Sequence, residues 1–206
     1  MEELISQLID SGYLKTPAII EAFKKIDRRD FVPEELKGFA YVNEPLMIGE
    51  GQTISQPLTV AFMLELLELA PGQNILDIGT GSGWQAALLA KIVGLAGKVI
   101  SIERIKSLSD RAKKSLLKFH FNNIELIVGD GSQGCPKGAP YDRVVAAASA
   151  QEIPQPWKDQ IKIGGIIVAP VGESLVKLTK LGETEFKTER FPGFVFVPLI
   201  KDGKKS

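Results

Sequence analysis

The run from Leu76 to Trp84, Leu-Asp-Ile-Gly-Thr-Gly-Ser-Gly-Trp, constrains the fold of this chain more than any other stretch. Its approach, Asn74 to Ile78, is apolar and β-rich, as a strand buried in a parallel sheet should be. Gly79, Gly81 and Gly83 then let the backbone turn tightly and a ligand approach closely. A helix-compatible stretch, Trp84 to Val93, follows, so the turn sits where a helix N-terminus faces a ligand. The spacing excludes one ligand class. A dinucleotide fingerprint, G-x-G-x-x-G, needs its third glycine where Trp84 stands. What remains is D-x-G-x-G-x-G, with Asp77 in the strand before the turn.

Two further strand candidates carry acids at their ends. Lys98 to Glu103 ends 20 residues after Gly83, and a carboxylate there can accept from both hydroxyls of a ribose. Ile124 to Gly129 runs into Asp130-Gly131, where Asp130 can accept from an exocyclic adenine amino group and Gly131 allows close backbone approach. Asp77, Glu103 and Asp130 in succession point to a nucleoside ligand. The glycine turn resembles the nucleoside-binding loop of S-adenosylmethionine-dependent methyltransferases of the Rossmann-like class.

Strands at 74–79, 98–103, 124–129, 142–148 and 165–171 alternate with helices at 84–93, 107–119 and 154–161. That alternation predicts an α/β fold, a mostly parallel central sheet with helices on both faces. Before it, residues 1 to about 39 read as two helices, with Leu4, Ile5, Leu8 and Ile9 on one inward face and Ile19, Ile20, Phe23 and Ile26 on another. Residues 40–56 read as loop with short extended pieces, and Pro57 opens an apolar helix to about Leu69. After it, Leu175–Leu181 and Thr184–Phe191 form a hairpin, Phe194–Leu199 a last strand, and Gly203–Ser206 a frayed end. The whole is expected to be a single domain, 1–206. Its parts are N-terminal helices with an active-site loop (1–56), a cofactor-binding core (57–172) and C-terminal strands (173–206).

Bulk properties narrow the partners. Lysine plus arginine equals aspartate plus glutamate, 25 each, so no global field draws the chain to nucleic acid or anionic membranes. No apolar run approaches the roughly 20 residues needed to cross a bilayer. The single Cys135 excludes an internal disulfide and fits a reducing compartment. With an acidic opening, Met1-Glu2-Glu3, and no basic-then-apolar signal, a cytoplasmic protein is expected. No His, Cys and carboxylate cluster has metal-ligand spacing, so no metal is expected; His120 reads as a surface residue and Cys135 as a small packing residue.

A second stretch, Gly51-Gln52-Thr53-Ile54-Ser55-Gln56-Pro57, admits a plain reading: Ser55 or Gln56 caps the helix that Pro57 opens. Capping leaves unexplained why a glycine-flanked polar loop precedes the cofactor half. Such a loop can fold over the cofactor and present hydroxyls to a reacting group. Together with Leu76–Gly83, Gly129-Asp130-Gly131, Tyr141–Val145, Gly164-Gly165, Pro170-Val171-Gly172 and Val197-Pro198-Leu199, it resembles the protein-L-isoaspartate (D-aspartate) O-methyltransferase family, over most of the chain and in family order.

That resemblance implies transfer of a methyl from S-adenosylmethionine to the free α-carboxylate of L-isoaspartyl residues in damaged proteins and peptides. The resulting ester recyclises to a succinimide. It maps the active-site residue onto Ser55, and cofactor contacts onto Gln52, Thr53, Ile54, Ser55, Asp77, Gly79, Gly81, Gly83, Glu103, Asp130 and Gly131. Substrate contacts are expected from Thr53, Ile54, Ser55, Val195 and Val197, the last two through backbone groups of the terminal strand. Departures from the family pattern stand at Ala147, Glu50 and Trp84. A carboxylate with a pKa of about 3.5 needs no general base, which agrees with the absence of a histidine partner for Ser55. Isoaspartyl proteins and peptides are the expected partners, met by a monomer. The competing readings are a methyltransferase acting on a small-molecule carboxylate or RNA, and a catalytically silent nucleoside-binding module.

Overall fold

The computed structural model describes residues 1–200; the expected fraying at Gly203–Ser206 lies outside the described residues. The chain opens with helices α1 (Glu2–Asp10) and α2 (Pro17–Lys25), then two short 3-10 turns, Arg28–Phe31 and Glu34–Phe39. Leu4, Ile5 and Leu8 are buried as expected, but Ile9 is 41% exposed. It sits in the last turn of α1, where the chain leaves the core through Gly12 (φ 74°). Ile19, Phe23 and Ile26 are buried and Ile20 half-buried.

Residues 40–56 hold a small antiparallel hairpin, β1 (Leu46–Gly49) and β2 (Gln52–Ile54). Its tip turns through Gly49, Glu50 and Gly51 at φ 85°, 56° and 68°. Helix α3 (Pro57–Leu66) follows with proline in its first turn, where the missing N–H costs nothing. Neither Ser55 nor Gln56 caps it. Asn43 does so from the preceding loop, its Oδ1 accepting from the Leu58 N–H at 3.0 Å while Gln56 Nε2 donates to the Asn43 carbonyl at 2.8 Å. The side chain of Ser55 is therefore not committed to the helix end.

The core elements then alternate: β3 (Asn74–Ile78), α4 (Trp84–Val93), β4 (Lys98–Glu103), α5 (Lys106–Leu117), β5 (Ile124–Val128), β6 (Tyr141–Ala146), α6 (Gln155–Gln160), β7 (Ile161–Val171), β8 (Ser174–Lys180) and β9 (Phe186–Pro192). They build a seven-stranded sheet in the order β5-β4-β3-β6-β7-β8-β9. Neighbours from β5 through to β7 are parallel; β8 and β9 are antiparallel additions. Alternate residues divide between two cores. Ile75, Val99, Val145 and Val168 pack with the helices of the N-terminal half, α4 and α5, while Leu76, Ile100, Val144 and Ile167 pack with Trp157 of α6 on the other face. The helical cover is thus two-sided but uneven.

From β3 the chain winds to β4 and β5 on one side, then returns to β6 on the other. The strand order reverses beside β3, and ligands of open parallel sheets bind in the crevice at such a reversal. One expected element is missing. Phe194–Leu199 joins no strand; it makes a single parallel bridge, Ser149 with Pro198, held by Ser149 N–H to the Val197 carbonyl at 2.7 Å and Leu199 N–H to the Ser149 carbonyl at 2.8 Å. Pro198 has no N–H to extend a ladder. The segment lies against the loop that follows β6 instead of beside β9.

Candidate active site

A cavity opens at the reversal, lined from the sheet by Gly79, Gly81, Glu103 and Gly131 and from the hairpin by Gln52 and Thr53. Among the described residues Glu103 is the one carboxylate in its wall, and its orientation is set by backbone: Oε2 accepts from the Gly81 N–H and Oε1 from the Ile105 N–H, both at 2.9 Å. Each oxygen keeps acceptor capacity for a hydroxyl from the cavity side. Gly79 (φ 90°) and Gly81 (φ 53°) supply backbone that L-residues resist, and a Cβ on Gly79 would meet the Ala147 Cβ at 3.6 Å.

Of the other residues expected at this cavity, Asp77, Gly83, Asp130 and Ile54 are not in its wall. Asp77 is wholly buried, its carboxylate accepting from Gln85 Nε2 at 2.8 Å and Ser101 Oγ at 2.7 Å. Ser101 in turn pairs with Thr80 Oγ1 at 2.6 Å, so Asp77 anchors the glycine turn from beneath. Burial pushes its pKa up to about 6 against those two hydrogen bonds, with the Glu103 charge adding to the rise. Gly83 (φ 91°) precedes α4 and faces α5, where a Cβ would lie 3.2 Å from the Ala112 Cβ; both its backbone conformation and this packing need a glycine there. The Asp130 side chain accepts from the Ser132 N–H at 2.8 Å and starts a 3-10 turn, Gly131–Gln133. Gly131 is pressed against Ile78, whose Cγ2 would lie 2.6 Å from an added Cβ. Ile54 is buried in the core.

Ser55 lines a second cavity, whose wall also includes Thr53, Gln56, Tyr13, Leu58 and the segment Pro192–Val197. Thr53, Ala147 and Val197 line both cavities, which therefore meet at these residues. Among the described residues no Lys, Arg, His, Asp or Glu lines the second one. Among the described residues no hydrogen bond engages the Thr53 or Ser55 hydroxyl. Behind the mouth, Phe62 stacks on Phe194 (centroids 5.6 Å apart) and meets Tyr13 edge-on at 5.4 Å. Val195 is 82% exposed at the rim. Tyr13 and Leu58 carried no local pattern that marked them, because only the fold brings the end of α1 to the start of α3. Ala147 was visible as a departure, yet its position in both walls is set by register, its N–H bonding the Ile78 carbonyl at 2.8 Å. The other departures resolve differently: Trp84 is 1% exposed and fills core, whereas the exposed Glu50 accepts from Ser107 Oγ at 2.7 Å.

Comparison with known proteins agrees with this arrangement. A model of the protein-L-isoaspartate(D-aspartate) O-methyltransferase family matches residues 1–204. A protein-L-isoaspartate O-methyltransferase of Ignicoccus hospitalis is 45% identical over 205 residues, 97% of each chain. One from Methanoculleus marisnigri is 48% identical over 205 residues, 97% of this chain and 90% of its own. The crystal structure of a putative member from Plasmodium falciparum, in complex with S-adenosyl-L-homocysteine, superposes with a TM-score of 0.86 at 25% identity, covering 97% of this chain and 98% of its own. Similarity of this extent, from α1 through the terminal segment, makes the chain a member of the protein-L-isoaspartate(D-aspartate) O-methyltransferase family.

Proposed function

We propose that the protein methylates the free α-carboxylate of L-isoaspartyl residues in damaged proteins and peptides, with S-adenosylmethionine as methyl donor. The observation that carries this reading is the meeting of the two cavities at Thr53, Ala147 and Val197, which puts a nucleoside-type site and a polar acceptor site on either side of one shared wall. S-adenosylmethionine supplies an electrophilic methyl on a sulfonium sulfur and leaves as S-adenosylhomocysteine. The donor set fits it: Glu103 offers acceptors suited to ribose hydroxyls, and Gly79 and Gly81 leave room along the turn.

On the acceptor side the chain has to align and desolvate, not to remove a proton. An α-carboxylate with a pKa of about 3.5 is already ionised at neutral pH. Thr53 and Ser55 offer hydroxyl donors, and among the described residues the second cavity is lined by no cationic side chain that would tie up the carboxylate's charge and blunt its nucleophilicity. Tyr13, Phe194 and Phe196 supply apolar surface that keeps water from competing. Backbone of Val195 and Val197 offers the peptide sequence-independent pairing, which suits a substrate defined by its damage. The methyl ester formed recyclises to a succinimide, and repeated cycles restore the normal linkage. A monomer leaves the second cavity open to bulky substrates, and the lone Cys135 suits the cytoplasm.

Labelled S-adenosylmethionine with matched isoaspartyl and aspartyl peptides tests the reading. Base-labile label on the isoaspartyl peptide alone is the expected result. Label on neither peptide, or on both equally, overturns it.

A further inference from the structure

Arg28 is a charged side chain with no exposed surface. Its Nη1 donates to the carbonyls of Ala40 (2.8 Å) and Val42 (3.3 Å), and its Nη2 to those of Glu44 (2.9 Å) and Ser55 (3.1 Å). The guanidinium also lies over the Trp84 ring, 5.5 Å from its centroid, and Trp84 Nε1 donates to the Ile26 carbonyl at 3.3 Å. Only Nε lacks a partner. Burial lowers the group's pKa to about 10, which leaves it charged at neutral pH.

One fork therefore gathers carbonyls from two segments outside the seven-stranded sheet, beside the Asn43 bonds to Gln56 and Leu58 that also tie them. The 40–44 segment carries Asn43, the residue that caps α3. The other segment carries Ser55. Trp84, beneath the fork, is the first residue of α4 and follows directly on the glycine turn. The contact joins the helix that follows the glycine turn to the backbone of the acceptor loop through one side chain. A lysine cannot take this place, since a single ammonium does not span four carbonyls spread over two segments.

We propose that Arg28 is a positioning residue for methyl transfer: by holding the Ser55 carbonyl against the 40–44 segment and Trp84, it sets the Ser55 hydroxyl where the acceptor carboxylate is aligned. This rests on the reaction proposed above, so the test carries one readout that does not need it.

That readout is backbone amide exchange. In Arg28→Lys, exchange at 40–44 and 55–58 speeds up at least tenfold while the β3–β6 core keeps its protection; unchanged exchange in those segments overturns the positioning role whatever the enzyme does. The kinetic arm uses turnover per cofactor-binding site, counted by S-adenosylhomocysteine titration, so that unfolded protein is not scored. Arg28→Lys is expected to lower kcat at least tenfold, with cofactor Kd within about twofold of wild type. In a Ser55→Ala background the same change is expected to cost less than about twofold. A full loss in that background, or a kcat per site equal to wild type, overturns the inference. Where Arg28→Lys does not fold, Trp84→Phe carries the same cycle, with a loss of at least threefold that vanishes on Ser55→Ala; an additive loss, or none, overturns it. Absence of any transfer by the wild-type protein counts against the reaction and leaves the exchange result to decide the role of Arg28.

Discussion

Ser55 lines a cavity whose other polar side chains are those of Tyr13, Thr53, Gln56 and Thr59, so loss of its hydroxyl leaves one fewer donor for an ionised acceptor. A hydrogen bond to a charged group contributes about 1.5–3 kcal/mol, or roughly 10- to 100-fold in rate when it is formed in the transition state. Ser55→Ala is expected to lower kcat on isoaspartyl peptide by that factor while S-adenosylhomocysteine binds within about twofold of wild type; steady-state kinetics and calorimetric titration measure the two. Unchanged kcat removes Ser55 from the mechanism. Asp77 makes the contrasting case, an acid whose role is internal. Its pKa rises from the ordinary 3.8 to about 6, so the folded protein holds this proton more tightly than the unfolded chain does. Stability from this group is complete below pH 4 and is lost as pH rises through 6, by about 3 kcal/mol. Asp77→Asn can still accept from Gln85 and can donate to Ser101, so denaturant unfolding of the variant should show a flatter pH dependence between pH 4 and 6. An unaltered slope would mean that Asp77 is not the titrating group. Both acids stood out in the sequence by their place at strand ends, yet only Glu103 reaches the cavity. The difference is position along the strands: Asp77 pairs with Ser101 within the sheet and is buried there, whereas Glu103, two residues beyond Ser101 on the same face, ends β4 beside the turn.

Among the elements, those whose sequence pattern reports burial were the readable ones. Helix α4 and strand β4 have the bounds their patterns predict, 84–93 and 98–103; burial on both faces of the strand shows as Val99, Ile100 and Ile102 in near-continuous succession. Phe194–Leu199 has the same β-branched and aromatic composition but owes it to the cavity wall and the aromatic cluster around Phe62, not to a ladder. Strand β7 begins at Ile161, ahead of the expected 165, because a register shift opposite Tyr141–Arg143 admits Gly164 at φ 79°. Composition alone reports neither effect. The β1–β2 hairpin was legible only as an irregular stretch, and its function depends on where its tip lands. Glu50 is tied to Ser107 in the first turn of α5, bracing the hairpin that carries Gln52 and Thr53 over the cofactor cavity. Ser107→Ala removes this tie without touching the strained backbone at Glu50. An exposed hydrogen bond contributes about 1 kcal/mol, so S-adenosylhomocysteine affinity should fall roughly fivefold, with melting temperature little changed. Equal affinities would show that the hairpin needs no brace.

For the molecule as a whole, the parallel half of the sheet and the antiparallel half divide the labour. Strands β3 to β6 end at the cofactor cavity, while β8 and β9 widen the sheet and deliver the chain to Pro192–Val197 at the acceptor cavity. The parallel half was readable because each of its strands is announced by its own burial pattern. The meeting of the cavities was not, since Thr53, Ala147 and Val197 are far apart in sequence and acquire a common wall only through the return to β6. Charge follows the same division. The chain carries 25 basic and 25 acidic residues, and among the described residues no charged side chain lines the acceptor cavity. Electrostatic steering requires a field of one sign around the site, and salt suppresses it within a Debye length of about 10 Å at 0.1 M. Encounter with substrate is then governed by apolar contact and backbone pairing, which salt does not screen. The kcat/KM for an isoaspartyl peptide with uncharged flanks should change by less than about twofold between 50 and 500 mM salt, and acidic or basic flanks should shift it by no more than about threefold in either direction. A steep fall with salt, or strong preference for one sign of flank, would show that charges outside the cavity wall select the substrate, and that the neutral pocket is not what makes the enzyme tolerant of sequence.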